Sequence, residues 1–302
     1  MRASLLPTLL MQGLLIGACS QPGRQGGNPG QNPPPGSGTD DGGSGPGPVG
    51  GIDPGGGDCS DAAKLVYVVD ENNMLSNFDP ATLQFKDIGT LNCPAQAFAT
   101  PFSMAIDRSP SAWVLYSSGE IFHVDVSDAK CSPTSFQPGQ MGFLQFGMGF
   151  ATNSPTTTDE TLFIAGSSDL MGQNMLGSIA FPSLMVTSIG DIAGTPELTG
   201  TGDANLWGFF PDAAMPKVAQ IDKTSGALAN PFALPSLAGT PAAWAFAFWG
   251  GDFWIFLMRQ NDPSTTVYHL YQSNGKVEAA VPKSGRKIVG AGVSTCAPLT
   301  IG

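Results

Sequence analysis

The feature that most restricts this chain is a period. Five short runs begin at near-equal intervals: "SMAID" at 103, "MGFAT" at 148, "ELTGT" at 197, "WAFAF" at 244 and "IVGAG" at 288, with steps of 45, 49, 47 and 44 residues. Self-similarity at this spacing means that one supersecondary unit, unable to bury its apolar face alone, is stacked on copies of itself. Each of the first four starts is followed by a second strand-like run: "AWVLYS" from Ala112, "TLFIAG" from Thr161, "NLWGFF" from Asn205 and "DFWIFL" from Asp252. Third runs follow as "IFHVDVSDA", "LGSIAFPSL", "KVAQIDKTSG" and "VYHLYQSNG", and a weaker fourth closes each unit. The runs are β-branched and aromatic and are broken by Gly, Pro, Asn, Asp and Ser, while helical periodicity is nearly absent. The chain is therefore all-β.

The fifth start has nothing after it to complete its unit. The missing strands lie at the other end: "KLVYVVD" (64–70), "MLSNFDPATL" (74–83) and "FKDIGTL" (85–91). Four whole units and one assembled from both termini make five. Pairing the two ends removes the free sheet edges an open array would expose. In repeat period and closure, residues 58–302 resemble the β-propeller superfamily, which implies a five-bladed β-propeller whose C-terminal strand closes the N-terminal blade. A β-sandwich, the alternative, leaves the period a coincidence. "WGGDFWIF" (249–256) looks like one kelch double-glycine element, but the other units lack it, and WD dipeptides are absent.

The first residues carry a different signal. Arg2 supplies a basic start, Leu5 to Ile16 an apolar stretch, and "IGAC" (16–19) places small residues before a cysteine. The stretch is shorter than the ~20 residues of a membrane span. It resembles the bacterial lipoprotein signal, with Cys19 at the lipidated position, Ala18 and Gly17 at the small positions and Ile16 where leucine is commoner. That resemblance implies removal of residues 1–18, a lipid on Cys19 and attachment to a membrane; Ser20 in place of Asp implies the outer membrane, on its periplasmic or surface face. An ordinary secretory signal is the alternative. From Ser20 to Gly57 the composition collapses to Gly, Pro, Ser, Asn and Asp. So little apolar surface cannot offset the entropy of ordering, so residues 19–57 read as a lipidated, disordered tether.

Five cysteines less Cys19 leave Cys59, Cys93, Cys131 and Cys296, and an exported domain allows three pairings. Cys296 follows the last strand of the shared unit and Cys59 precedes its neighbour, so antiparallel pairing brings them within disulfide reach. Cys93 then pairs with Cys131 by elimination.

Charge excludes several classes. With 13 Lys and Arg against 24 Asp and Glu, a net charge of −11 and no basic cluster, nucleic acid is not an expected partner. No cofactor is expected. His123 and His269 stand apart from any ligand spacing, so no metal site is expected; "GTDDGG" lacks the ligand ladder of a calcium loop. "GTGDAN" lacks the lysine and helix of a phosphate loop, and no serine sits in a nucleophile elbow.

Two functional readings remain. The preferred one is a non-enzymatic binding or scaffold module for a protein or glycan at the cell envelope. The other is a glycan hydrolase using carboxylates around the propeller channel, with candidates Asp107 in "SMAIDRS" and Glu197 and Asp203 in "ELTGTGD". Asp107 and Asp203 also suit turns, bonding nearby backbone. Trp207, Trp244, Trp249 and Trp254 alternate with phenylalanines and read as packing between units.

Overall fold

The computed structural model describes residues 59–168 and 173–301. The signal, Cys19 and the tether to Gly57 lie outside the described residues. Twenty strands form five four-stranded antiparallel sheets. Blade 1 takes β1 (Val66–Asp70), β2 (Met74–Asp79) and β3 (Gln84–Thr90). Blade 2 is β4 (Pro101–Ile106), β5 (Ser111–Tyr116), β6 (Ile121–Asp125) and β7 (Cys131–Pro133). Blade 3 is β8 (Phe143–Thr152), β9 (Glu160–Ser168), β10 (Gln173–Ala180) and β11 (Met185–Asp191). Blade 4 is β12 (Glu197–Gly200), β13 (Leu206–Phe210), β14 (Lys217–Ile221) and β15 (Leu228–Ala233). Blade 5 is β16 (Pro241–Trp249), β17 (Asp252–Arg259), β18 (Thr266–Leu270) and β19 (Val277–Val281). The last strand, β20 (Ile288–Gly292), returns to blade 1 as its inner strand, in the order β20-β1-β2-β3.

The seam is an ordinary antiparallel pair, with Val68 opposite Ala291 and Val69 opposite Gly290. The inner strands neighbour one another in the cycle β20, β4, β8, β12, β16 and back to β20, so the sheets form a closed five-bladed propeller. Two disulfides fasten it. Cys59 is bonded to Cys296 across the seam, and Cys93 to Cys131 between the end of blade 1 and the outer strand of blade 2. Such bonds persist in an oxidising compartment and mark an exported chain. No helix among the described residues is long and apolar enough to cross a membrane.

Each gap between blades holds its own apolar cluster. Val66 and Val68 of β1 pack with Ala245, Trp254 and Phe256 of blade 5, while Tyr67 and Val69 of the same strand pack with Met104, Ile106 and Val114 of blade 2. Alternate side chains therefore serve opposite neighbours, which is why central strands read as unbroken apolar runs. The innermost strands need small residues as well: a methyl on Gly147 would overlap the Pro196 carbonyl oxygen, and one on Gly200 the Phe150 carbonyl oxygen. Hydroxyls meet amides where those strands face each other. Phe248 N donates to Thr199 Oγ1 at 3.0 Å, joining β16 to β12. Met148 N donates to Ser103 Oγ at 3.2 Å, joining β8 to β4. An unpaired buried amide carries a cost of its own, so these hydroxyls do what a further strand would do.

Candidate functional site

The inner strands begin on one face of the ring, here the front, and end on the other, the rear. At the front, Glu197 opens β12 and is only 3% exposed. Its Oε2 accepts a hydrogen bond from Ser103 Oγ at 2.9 Å, so an amide, a hydroxyl and a carboxyl run in series from blade 3 through blade 2 to blade 4. Burial pushes its pKa well above the usual carboxylate range, against the opposing pull of the Ser103 and Met148 hydrogen bonds. Burial thus favours the protonated form, in which a carboxyl can donate as well as accept a hydrogen bond.

Glu197 lies between two adjoining cavities. One, of about 170 Å³, also takes in Pro101, Val289 and the rim residues Glu71 and Lys287. The other, of about 270 Å³, takes in Phe146, Gly147, Gly166 and Thr195. Phe102 and Trp244 line both, and both are half-buried. Lys287 Nζ and Glu71 Oε2 form an ion pair at 2.8 Å, so the rim is balanced. The arrangement is an aromatic-sided funnel with a buried carboxyl at its base.

The other candidates go elsewhere. Asp107 ends β4 at the rear, where its carboxylate accepts from Ser111 N at 3.0 Å and Trp113 Nε1 at 2.9 Å. Asp203 lies in the rear turn from β12 to β13, bonded by Thr201 Oγ1. With a rise of about 3.3 Å per residue, Thr201 already stands roughly 13 Å from Glu197 along the strand. The three carboxyls therefore do not converge. Asp107 instead shares a cavity of about 210 Å³ with Glu160, Phe150 and Phe181.

Glu160, the first residue of β9, has no signal in its own neighbourhood of the sequence. Arg108 N donates to its Oε1 and Thr295 Oγ1 to its Oε2, each at 2.8 Å. Arg108 Nη1 donates to Thr295 Oγ1 at 3.1 Å and Nη2 to Cys59 Sγ at 3.3 Å. Burial raises its pKa to about 7; the bonds from Arg108 and Thr295 lower it, and the charge of Asp107 adds to the rise. This cluster ties blades 1, 2 and 3 beside the disulfide at the seam.

Trp207 and Trp254 are core, at 5% and 3% exposed, and Trp249 Nε1 is bonded to Lys64 O at 2.8 Å. Trp244 departs from the packing role: it sits near the start of its strand, beside the funnel. His269 stacks on Trp254 at 4.3 Å and bonds Asp252 at 2.8 Å. Among the described residues no three His, Cys, Asp or Glu are grouped to hold a metal ion.

No protein-family model matches the sequence, and no curated protein matches it. Solved structures do. A chain of the nidogen/laminin complex is 10% identical with a TM-score of 0.50, over 76% of this chain and 97% of that one. TolB from Acinetobacter baumannii is 16% identical at a TM-score of 0.43, over 74% of this chain and 54% of that one. The extracellular domain of a one-component system from B. thetaiotaomicron is 12% identical at 0.40, over 75% and 28%. At such identities the first likeness is one of fold: the chain is a β-propeller.

Proposed function

We propose that this chain is an exported, lipid-anchored binding module of the bacterial cell envelope, taking its ligand at the front mouth of the propeller. The observation that carries the reading is Glu197, a buried carboxyl with Phe102 and Trp244 beside it in both cavities. A carboxyl accepts hydrogen bonds from hydroxyls, and aromatic surface packs on the apolar faces of a sugar ring. Of the two partner classes, glycan and protein, this chemistry favours a glycan.

In this reading residues 1–18 are removed, Cys19 carries the lipid, and residues 19–57 hold the domain of residues 58–302 away from the outer membrane. Support comes from the sequence pattern around Cys19 and from the two disulfides, which suit an oxidising compartment.

A glycan array probed with the intact chain tests the site. Wild-type protein binds a subset of glycans, and Trp244→Ala or Glu197→Gln weakens that binding at least tenfold while the circular dichroism spectrum is kept; an empty array overturns the reading. Anchoring has its own check, since Cys19→Ala releases the protein from the membrane fraction, and unchanged fractionation refutes it. The alternative of a hydrolase calls for two carboxyls about 5 to 9.5 Å apart. Against it stands the placement of Glu197 at the front and of Asp107 and Asp203 at the rear. Turnover of a chromogenic glycoside that disappears in Asp203→Asn would restore it.

A further inference from the structure

The front cavities do not stop at the funnel. Thr195, in the loop from β11 to β12, lines the second of them and also a third, of about 770 Å³, bounded by Phe210, Asp212, Met215 and Lys217. The three spaces adjoin: Phe102, Glu197 and Trp244 border both the first and the second, and Thr195 both the second and the third. Size separates them. At about 170 and 270 Å³ the two central spaces fall below the ~300 to 1,000 Å³ of a typical small-ligand site, whereas the outer one lies within it. A ligand confined to the centre is thus small, and one that fills the whole is long.

Charge narrows its chemistry. Glu71 and Lys287 neutralise each other at the inner rim. Asp212, held ionised by the Met215 and Ala214 amides, is answered in the outer cavity by Lys217, whose ammonium lies 5.3 Å from the Phe210 ring centre. Apart from the buried Glu197, the charged residues of the lining therefore balance, one cation to one anion in each rim, in a chain whose net charge is −11, so the lining is matched to an uncharged ligand rather than to a basic peptide or an acidic polymer.

Building on the binding-module reading, we infer that these spaces are one groove for a linear, neutral oligosaccharide. Its end residue lies against Glu197 and Trp244, and its following residues cross Thr195 into the cavity of Phe210 and Met215.

Calorimetric titration of the intact chain with cello-, manno- and malto-oligosaccharides of two and six residues tests this, with an alginate hexamer as the charged control. For at least one series the hexamer binds at least tenfold tighter than the dimer, and the alginate hexamer does not bind. Thr195 is exposed, so Thr195→Trp obstructs the crossing without disturbing the core. It brings hexamer and dimer affinities within twofold of each other. Met215→Ser, at a side chain 76% exposed, lowers hexamer affinity alone. Equal affinities for dimer and hexamer in wild type, or a Met215→Ser that weakens both alike, overturn the groove while leaving the funnel as a binding site. Preference for alginate, or for a peptide, overturns the neutral-glycan assignment. No saccharide binding at all overturns the funnel reading as well.

Discussion

The front and rear of the ring each bury a glutamate, and the two are handled differently. Glu197 and Glu160 are both shifted upward, and in both burial is the leading cause. Glu160 also borders a cavity, shared with Asp107, but protein donors occupy both its oxygens, with the Arg108 guanidinium and the Cys59–Cys296 bond beside it. Glu197 has a hydroxyl and an amide for company, no cation, and two cavities alongside. A carboxyl bound into a tie across three blades serves the ring, whereas a carboxyl at the base of a funnel serves what enters it. Acidity alone does not separate these roles; what lies next to the oxygens does.

The sharpest way to break this contrast is to cut the rear tie. Replacing Cys59 and Cys296 by serine is expected to lower stability by about 5 to 6 kcal/mol, because the bond closes a loop of 237 residues. Removing Cys93–Cys131, which spans 38, costs about 1.5 kcal/mol less. Denaturant titration under non-reducing conditions measures both, and equal losses would deny the seam its special weight.

Next in size is a pH effect from Glu160. Its pKa is raised from 4.5 in the free residue to about 7 in the fold. Below the lower value both folded and unfolded chains hold the proton; between the two only the folded chain does. The stabilisation is therefore present at low pH and is lost as pH rises through about 7, by roughly 3 kcal/mol in all. Glu160→Gln, which cannot ionise, lessens that decline, and a slope undiminished in the variant would place its origin elsewhere. Glu197, raised in the same direction by burial, adds to the decline, so Glu197→Gln lessens it as well.

Smaller again is the effect of Ser103→Ala. It removes the hydroxyl that accepts from Met148 N and donates to Glu197, and a loss of about 1 to 3 kcal/mol follows from breaking this buried series. Glu197→Gln, replacing one polar group by another, costs about 1 kcal/mol or less in stability. If it proves the more damaging of the two, the front carboxyl is structural after all.

The ring and its seam were legible because both are written in local runs. A strand such as "KLVYVVD" or "IVGAG" keeps its β-branched character wherever it lies, and a unit lacking strands at one end advertises the surplus at the other. The expected starts at 197 and 288 coincide with the first residues of β12 and β20, and the remaining three fall a few residues inside theirs. The site was less legible, since it depends on which end of each strand faces outward at the mouth. Trp244 shares an apolar run with Phe246 and Phe248, and nothing in "WAFAF" distinguishes the residue nearest the opening from those packed below it. Glu160 could not be singled out either. Thr295 and Arg108, which bind it, lie 135 and 52 residues away and reach it only once the ring has closed. Asp107 and Asp203 were visible as acids and as turn formers; only coordinates showed the turn bonds at work.

Completing blade 1 with β20 has a consequence in time as well as in space. The inner neighbour of β1 is separated from it in the chain by all of blades 2 to 5. Those blades are built from local hairpins and can gather as they appear, whereas the seam is a long-range contact that waits on them, leaving one flank of β1 bare until β20 arrives.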